Sequence, residues 1–238
     1  MLRNPRLLVI AHRANLNGAE PQFENTLERT RECIARGWSV ETDIRRDAAG
    51  RFYVSHDRAE WSAANDAAAF CALWRHARIP IALNVKELAY EAELIAFLRA
   101  QDVLSHVFLF DMELLESTAG ETARRFRSLD ANVRLGARVS DRNEPIAQAL
   151  TIHCTEIVWL DEFDSAWAVA SDVRLLHAHG RLVYAVSPEL HGASSSVMRR
   201  RWTQLIAWGV DGICTDAPTQ LNRVLTTARA DTQTPVAA

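Results

Sequence analysis

Residues 10–57 read IAHRANLNGAEPQFENTLERTRECIARGWSVETDIRRDAAGRFYVSHD, and their alternation of apolar runs with charged strand ends decides the fold. The run Leu7 to Ala11 has the length and branching of a buried strand, and it stops at His12 and Arg13, which a core excludes. Asn25, directly before the helically spaced Leu27, Cys33 and Ile34, is expected to cap a helix that Gly37 ends. The second strand, Trp38 to Ile44, follows at once. Alternation puts Val40, Thr42 and Ile44 on one face and Glu41 and Asp43 on the other. Two carboxylates side by side on a central strand repel each other unless a cation lies between them. A short third strand, Phe52 to Ser55, ends in His56 and Asp57.

Working outward, the rest of the chain repeats strand then helix. The pattern predicts strands at Ile81 to Val85, His106 to Phe110, Val133 to Ala137, Ile157 to Leu160, Leu182 to Val186 and Gly212 to Cys214. Helices are expected between them, the last at Pro218 to Thr227. With the first two strands that makes eight repeats, and short connections between them predict a parallel (β/α)8 barrel in a single domain over residues 1–228. Phe52 to Ser55 is an excursion after the second strand, and the polar tail 229–238 is expected to be disordered.

Composition narrows the function. In 238 residues, 48% hydrophobic content supports a sizeable core, and a net charge of -3 argues against a nucleic-acid surface. No apolar run is long enough to span a bilayer, and the apolar stretch before His12 is too short for a secretory signal. The default expectation is a cytoplasmic protein whose Cys33, Cys71, Cys154 and Cys214 are reduced packing residues. Nothing in the sequence sets the oligomeric state.

A barrel demands that its chemistry lie at the carboxyl ends of its strands. Polar groups stand there: His12 and Arg13, Glu41 and Asp43, Asn84 and Lys86, Asp111, Arg138, Asp161, Glu189 and His191, and Asp216. The ordered series His12-Arg13, Glu24-Asn25-Thr26, Glu41-x-Asp43 and His56-Asp57 resembles the glycerophosphodiester phosphodiesterase family of phosphatidylinositol phospholipase C-like barrels. The resemblance implies metal-dependent hydrolysis of a small-molecule phosphodiester, with His12 and His56 as general acid and base. It also implies Arg13 and Lys86 on the phosphoryl oxygens, and Glu41 and Asp43 on Mg2+ or Ca2+. Glu24 would orient the first histidine or a metal water, and Asp57 the second histidine.

The sequence departs from that pattern on the third barrel strand. Pro80-Ile81-Ala82-Leu83-Asn84-Val85-Lys86 keeps the lysine of the family's Glu-x-Lys but has Asn84 where the ligating Glu stands. An amide oxygen can bind a hard cation yet brings no charge, so affinity should fall. Glu189, in Ser187-Pro188-Glu189-Leu190-His191-Gly192, is the expected compensating carboxylate. The long insertion that follows His-Asp in many family members is missing, so substrate preference does not carry over with the fold. The alternative is a non-catalytic barrel that binds a phosphorylated ligand through a weakened metal site. A metal-dependent lyase acting on a phosphorylated sugar fits the carboxylates but not the paired histidines.

Overall fold

The computed structural model describes residues 7–77 and 79–233. Eight parallel strands close into a barrel: β1 (Leu8–His12), β2 (Ser39–Arg46), β4 (Ile81–Val85), β5 (Val107–Phe110), β6 (Arg134–Val139), β7 (Ile157–Leu160), β8 (Leu182–Val186) and β9 (Gly212–Thr215). Pairing of β1 with β2 and with β9 completes the circle, so none of the eight leaves an open edge. The short β3 (Phe52–Val54) lies antiparallel on the far end of β2, which is the excursion expected from sequence.

Among the described residues, eight α-helices fill the returns: α1 (Leu27–Ala35), α2 (Ala67–Trp74), α3 (Glu91–Ala100), α4 (Glu121–Leu129), α5 (Ile146–Thr151), α6 (Ala170–Ala178), α7 (Ser195–Trp208) and α8 (Pro218–Gln233). The last runs past Thr227 into the tail expected to be disordered, of which 234–238 lies outside the described residues. Thr26, not Asn25, caps α1: its side chain accepts from Arg29 N, while Asn25 takes a positive φ of 54° that frees its amide for other work. Among the described residues, no helix is long and apolar enough to cross a membrane.

Alternation along the strands builds two cores. Outward-facing Val9, Val40, Leu83, Leu109, Ala137, Val158, Val183 and Ile213 pack under the helices. Inward-facing Ile10, Ala82, Phe108, Phe110, Ile157, Trp159, Tyr184, Val186 and Cys214 fill the barrel. The interior is crowded by aromatics on β5, β7 and β8, with Phe110 and Trp159 centroids 4.2 Å apart. Glycine makes the room: a Cβ on Gly212 would stand 2.9 Å from the Tyr184 ring, and one on Gly136 3.1 Å from Phe110 Cβ. Above this plug the next inward positions are polar: His12, Asp43, Asn84, Arg138, Asp161 and Asp216. Alternation with a fixed register therefore places the polar layer at the carboxyl mouth.

Candidate active site

His12 ends β1, opposite Glu41 in the β1–β2 register. Its Nδ1 lies 2.7 Å from Asp216 Oδ1. A carboxylate only accepts, so Nδ1 carries the proton and Nε2, 3.9 Å from Glu41 Oε2, faces the mouth. Burial disfavours the charged ring, but the Asp216 hydrogen bond and the Glu41 charge outweigh it and raise the His12 pKa above its ordinary value. Asp216 also accepts from Asn15 Nδ2 at 2.8 Å, and burial notwithstanding, these donors hold it below the usual carboxylate range. Asp216 therefore orients the first histidine. Glu24, expected to orient that histidine or a metal water, accepts from Arg13 Nη1 at 3.0 Å and from Asn15 Nδ2 at 3.2 Å.

Glu41 and Asp43 are both buried on the inward face of β2. Lys86 Nζ lies 3.0 Å from Asp43 Oδ1, Asn25 Nδ2 donates to Asp43 Oδ2 at 2.9 Å, and Arg13 Nε is 3.7 Å from the same oxygen. Burial works against the Asp43 charge, yet Lys86, Asn25 and Arg13 prevail and lower its pKa. Glu41 goes the other way, pushed up by burial and by the Asp43 charge. Asn84 is the register partner of Asp43. Its Nδ2 donates to Asp111 Oδ2 at 2.8 Å, while its buried Oδ1 has no hydrogen-bond partner among the described residues.

These oxygens have the chemistry a hard divalent cation needs: two carboxylates on one face and an orphaned amide oxygen on the neighbouring strand. The set holds two carboxylates, not three. Among the described residues, no three His, Cys, Asp or Glu side chains are grouped as a metal-binding set. Glu189 stands apart from Asn84: it accepts from the Ser187 and Thr215 hydroxyls and from Asp216 N, on the β8–β9 side of the mouth. The carboxylate that Asn84 hydrogen-bonds is Asp111.

His56 follows β3 in a loop whose start is held to β2, where Ser55 N donates to Asp43 O at 3.1 Å. Its Nδ1 is 3.0 Å from Asp57 Oδ1, and the imidazole is 42% exposed against 93% for Asp57. Partial burial and the charges of Arg13 and Lys86, opposed by Asp43, lower its pKa. The loop thus brings His56 into the electrostatic field of Arg13, Asp43 and Lys86.

The opposite rim is built differently. Arg138 donates to Asp111 at 2.5 Å, Asp161 at 2.6 Å and Glu144 at 2.9 Å, and His191 Nε2 is 2.6 Å from Asp161. A cavity of about 450 Å³ lies beside it, lined by Phe163, His191, Arg200 and Gln204 among others and by none of His12, Glu41, Asp43 or Lys86.

Asn15, Asn25 and Asp216 are the site residues that sequence reading did not assign. Asn25 looked like a cap and Asp216 like one more strand-end polar group, and each stands two residues before a helix. Asn15 carried no signal: its role depends on Glu24 and Asp216 meeting in space, 192 positions apart in sequence.

No protein-family profile matches the sequence, and no curated protein does. Solved structures do match in fold. A glycerophosphoryl diester phosphodiesterase from Parabacteroides distasonis superposes with a TM-score of 0.73 at 16% identity, covering 100% of this chain and 90% of that one. A phosphodiesterase from Oleispira antarctica, solved with its product sn-glycerol-3-phosphate, gives 0.67 at 16% identity over 92% and 96% of the two chains. A dihydropteroate synthase from Thermus thermophilus reaches 0.53 at 16% identity over 96% of each. The fold is shared with all three, and the phosphodiesterases superpose better.

Proposed function

We propose that the barrel mouth hydrolyses a phosphodiester of a small polar or lipid-derived alcohol, as a phosphoric diester hydrolase dependent on Mg2+ or Ca2+. The observation that carries the reading is the convergence of His12, Arg13, Glu41, Asp43 and Lys86 on one rim, with ion-pair distances of 3.0 to 3.9 Å linking them. The phosphodiesterase structures of the same fold support it.

A diester spreads one negative charge over two oxygens that shield phosphorus from attack. Arg13 and Lys86 are the cations that would hold those oxygens, Arg13 through a two-pronged contact. Glu41, Asp43 and the Asn84 Oδ1 would hold the divalent ion, which when bound supplies Lewis-acid polarisation of the P–O bonds. Attack requires a base for the proton of the incoming water, and departure of the alcohol requires an acid. His12 and His56 are the candidates, each role contributing on the order of 10² to 10⁴ in rate. Asp216 fixes the His12 tautomer so that Nε2 is the atom that exchanges a proton with substrate.

The assay is hydrolysis of bis(p-nitrophenyl) phosphate and of glycerophosphodiesters, with Mg2+, with Ca2+ and with chelator. Turnover that needs the ion and falls by about 10² to 10⁴ in His12→Ala and in His56→Ala is expected; turnover at the wild-type rate in both substitutions overturns the reading. The second reading, a barrel that binds a phosphorylated ligand without cleaving it, is favoured by one feature: Lys86 already sits on Asp43, and Asn84 adds no charge. Calorimetric binding of glycerol phosphate with no turnover under any of these conditions selects it.

A further inference from the structure

The weakest point of the proposed site is the anchorage of His56. The imidazole's partner is its own chain neighbour, Asp57, almost fully exposed, so that contact cannot fix the ring relative to the barrel. Yet the loop carrying it, between Val54 and Ala67, contains no regular helix or strand. What ties His56 down is its backbone. Arg45 Nε and Nη2 both donate to the His56 carbonyl oxygen, at 2.9 and 2.6 Å. The third edge of the same guanidinium donates through Nη1 to Glu87 Oε1 at 3.1 Å, and Glu87 Oε2 accepts from Arg46 N at 3.1 Å.

We infer that Arg45 and Glu87 form a latch that positions His56 against the end of β2. Arg45 belongs on the inward-facing series Glu41, Asp43, Arg45, one pleat above the acidic pair, and Glu87 directly follows Lys86. One guanidinium therefore sets the histidine loop in register with both the acidic strand and the strand that carries the lysine. Planarity is the reason for arginine: its fork holds one oxygen with two N–H groups while a third reaches Glu87, which a lysine ammonium on a flexible stem cannot reproduce. Both side chains are mostly buried, at 13% and 15% exposure, so the latch is screened from solvent. Arg45 and Glu87 are positioning residues; they act through His56.

The catalytic consequence rests on the phosphodiesterase reading, whereas the latch itself does not, and the experiment separates them. Hydrogen–deuterium exchange on the full chain is expected to rise at residues 55–65 in Arg45→Gln and, to a smaller extent, in Glu87→Gln, with the remaining strands unchanged. Unchanged exchange in the loop overturns the latch. With bis(p-nitrophenyl) phosphate as substrate, kcat should fall about 10- to 100-fold in Arg45→Gln with KM nearly constant, since roughly 1 Å of misplacement costs about that much. Arg45→Lys should recover little. In the His56→Ala background the Arg45→Gln change should have no further effect on kcat, because it acts only through the missing ring. A further multiplicative loss there overturns the inference while leaving the phosphodiesterase reading intact. Absence of turnover in the wild-type chain would sink that reading and leave the exchange result to decide the latch.

Discussion

Lys86 and Arg138 are both cations set among carboxylates at the mouth of one barrel, and the two surroundings are opposites. Around Arg138 every arm of the guanidinium meets a carboxylate, Asp111, Glu144 or Asp161, and the Phe163 ring covers it at 4.7 Å. Around Lys86 the account does not close. Asp43 is neutralised, but Glu41 is pushed towards its neutral form, Asn84 Oδ1 accepts from nothing among the described residues, and His12 points a ring nitrogen into the open mouth. A closed set of charges holds structure, because any movement breaks a buried ion pair. An open set has lone pairs and protons to offer a ligand, and its incompleteness is the mark of the site.

The sharpest way to break this contrast is to remove one member from each side. His12→Ala should cut phosphodiester turnover by about 10² to 10⁴ while the melting temperature moves by only a few degrees. Arg138→Met should do the reverse. It strands three carboxylates in a buried pocket and should cost about 3–5 kcal/mol in urea unfolding, with turnover per folded molecule largely kept. Should Arg138→Met abolish turnover in a protein that still unfolds at the wild-type midpoint, both rims belong to the catalytic machinery.

The closed side has one loose end, and pH should expose it. Glu113, two residues after Asp111, accepts from Arg138 N at 3.2 Å through Oε1, and its buried Oε2 has no partner among the described residues. Burial pushes its pKa from 4.5 up to about 8. The folded chain therefore keeps a proton that the unfolded chain releases above its ordinary pKa, so the unfolded state binds fewer protons. Stability from this group is complete below about 4.5 and is lost as pH rises towards about 8. The decline should be on the order of a few kcal/mol, and Glu113→Gln should flatten it by keeping the acceptor and removing the proton. An equal slope in the variant and the wild type assigns the decline to other groups.

The seam between the two sides is the Asn84–Asp111 hydrogen bond. Asn84→Glu sets two carboxylates against each other and should cost about 1 to 3 kcal/mol. Adding Asp111→Asn restores an amide–carboxylate pair with the charge moved one strand over, and should recover at least half of that loss. Additive losses would show that the two side chains do not act as a pair.

How much of this was legible in the sequence follows from the range over which each signal acts. The barrel was readable because its signals are local: apolar runs of four or five residues, glycines at helix ends and a strand–helix alternation repeated down the chain. His12, Glu41, Asp43 and Lys86 were readable because strand period and strand ends fix which way they face. Partnerships across the mouth were not. Asp216 reaches His12 over 204 positions and Arg45 reaches the His56 backbone through a guanidinium, and neither link leaves a trace in spacing. Asn25 was misread for a physical reason: the residue before a helix and the residue that caps it share chemistry, and only its positive φ tells them apart.

The smallest expected effect tests Glu189, the carboxylate that the sequence offered as compensation for Asn84. Glu189 accepts the Ser187 and Thr215 hydroxyls and the Asp216 amide, while Trp202 Nε1 donates to Ser187 Oγ at 2.6 Å. Its oxygens are occupied in bracing the loop that backs Asp216, and burial raises its pKa despite those donors. Glu189→Gln keeps one acceptor but turns an amide N–H₂ towards a hydroxyl that already donates, which should cost about 1 kcal/mol of stability. Calorimetric titration with Mg2+ and Ca2+ should show affinity within about threefold of wild type, against a loss of about tenfold or more in Asp43→Asn, because removing ligand charge weakens such sites. A loss in Glu189→Gln as large as that in Asp43→Asn would place Glu189 among the ion's ligands. The open side would then extend from β2 across to β8, with the third carboxylate supplied from the far rim.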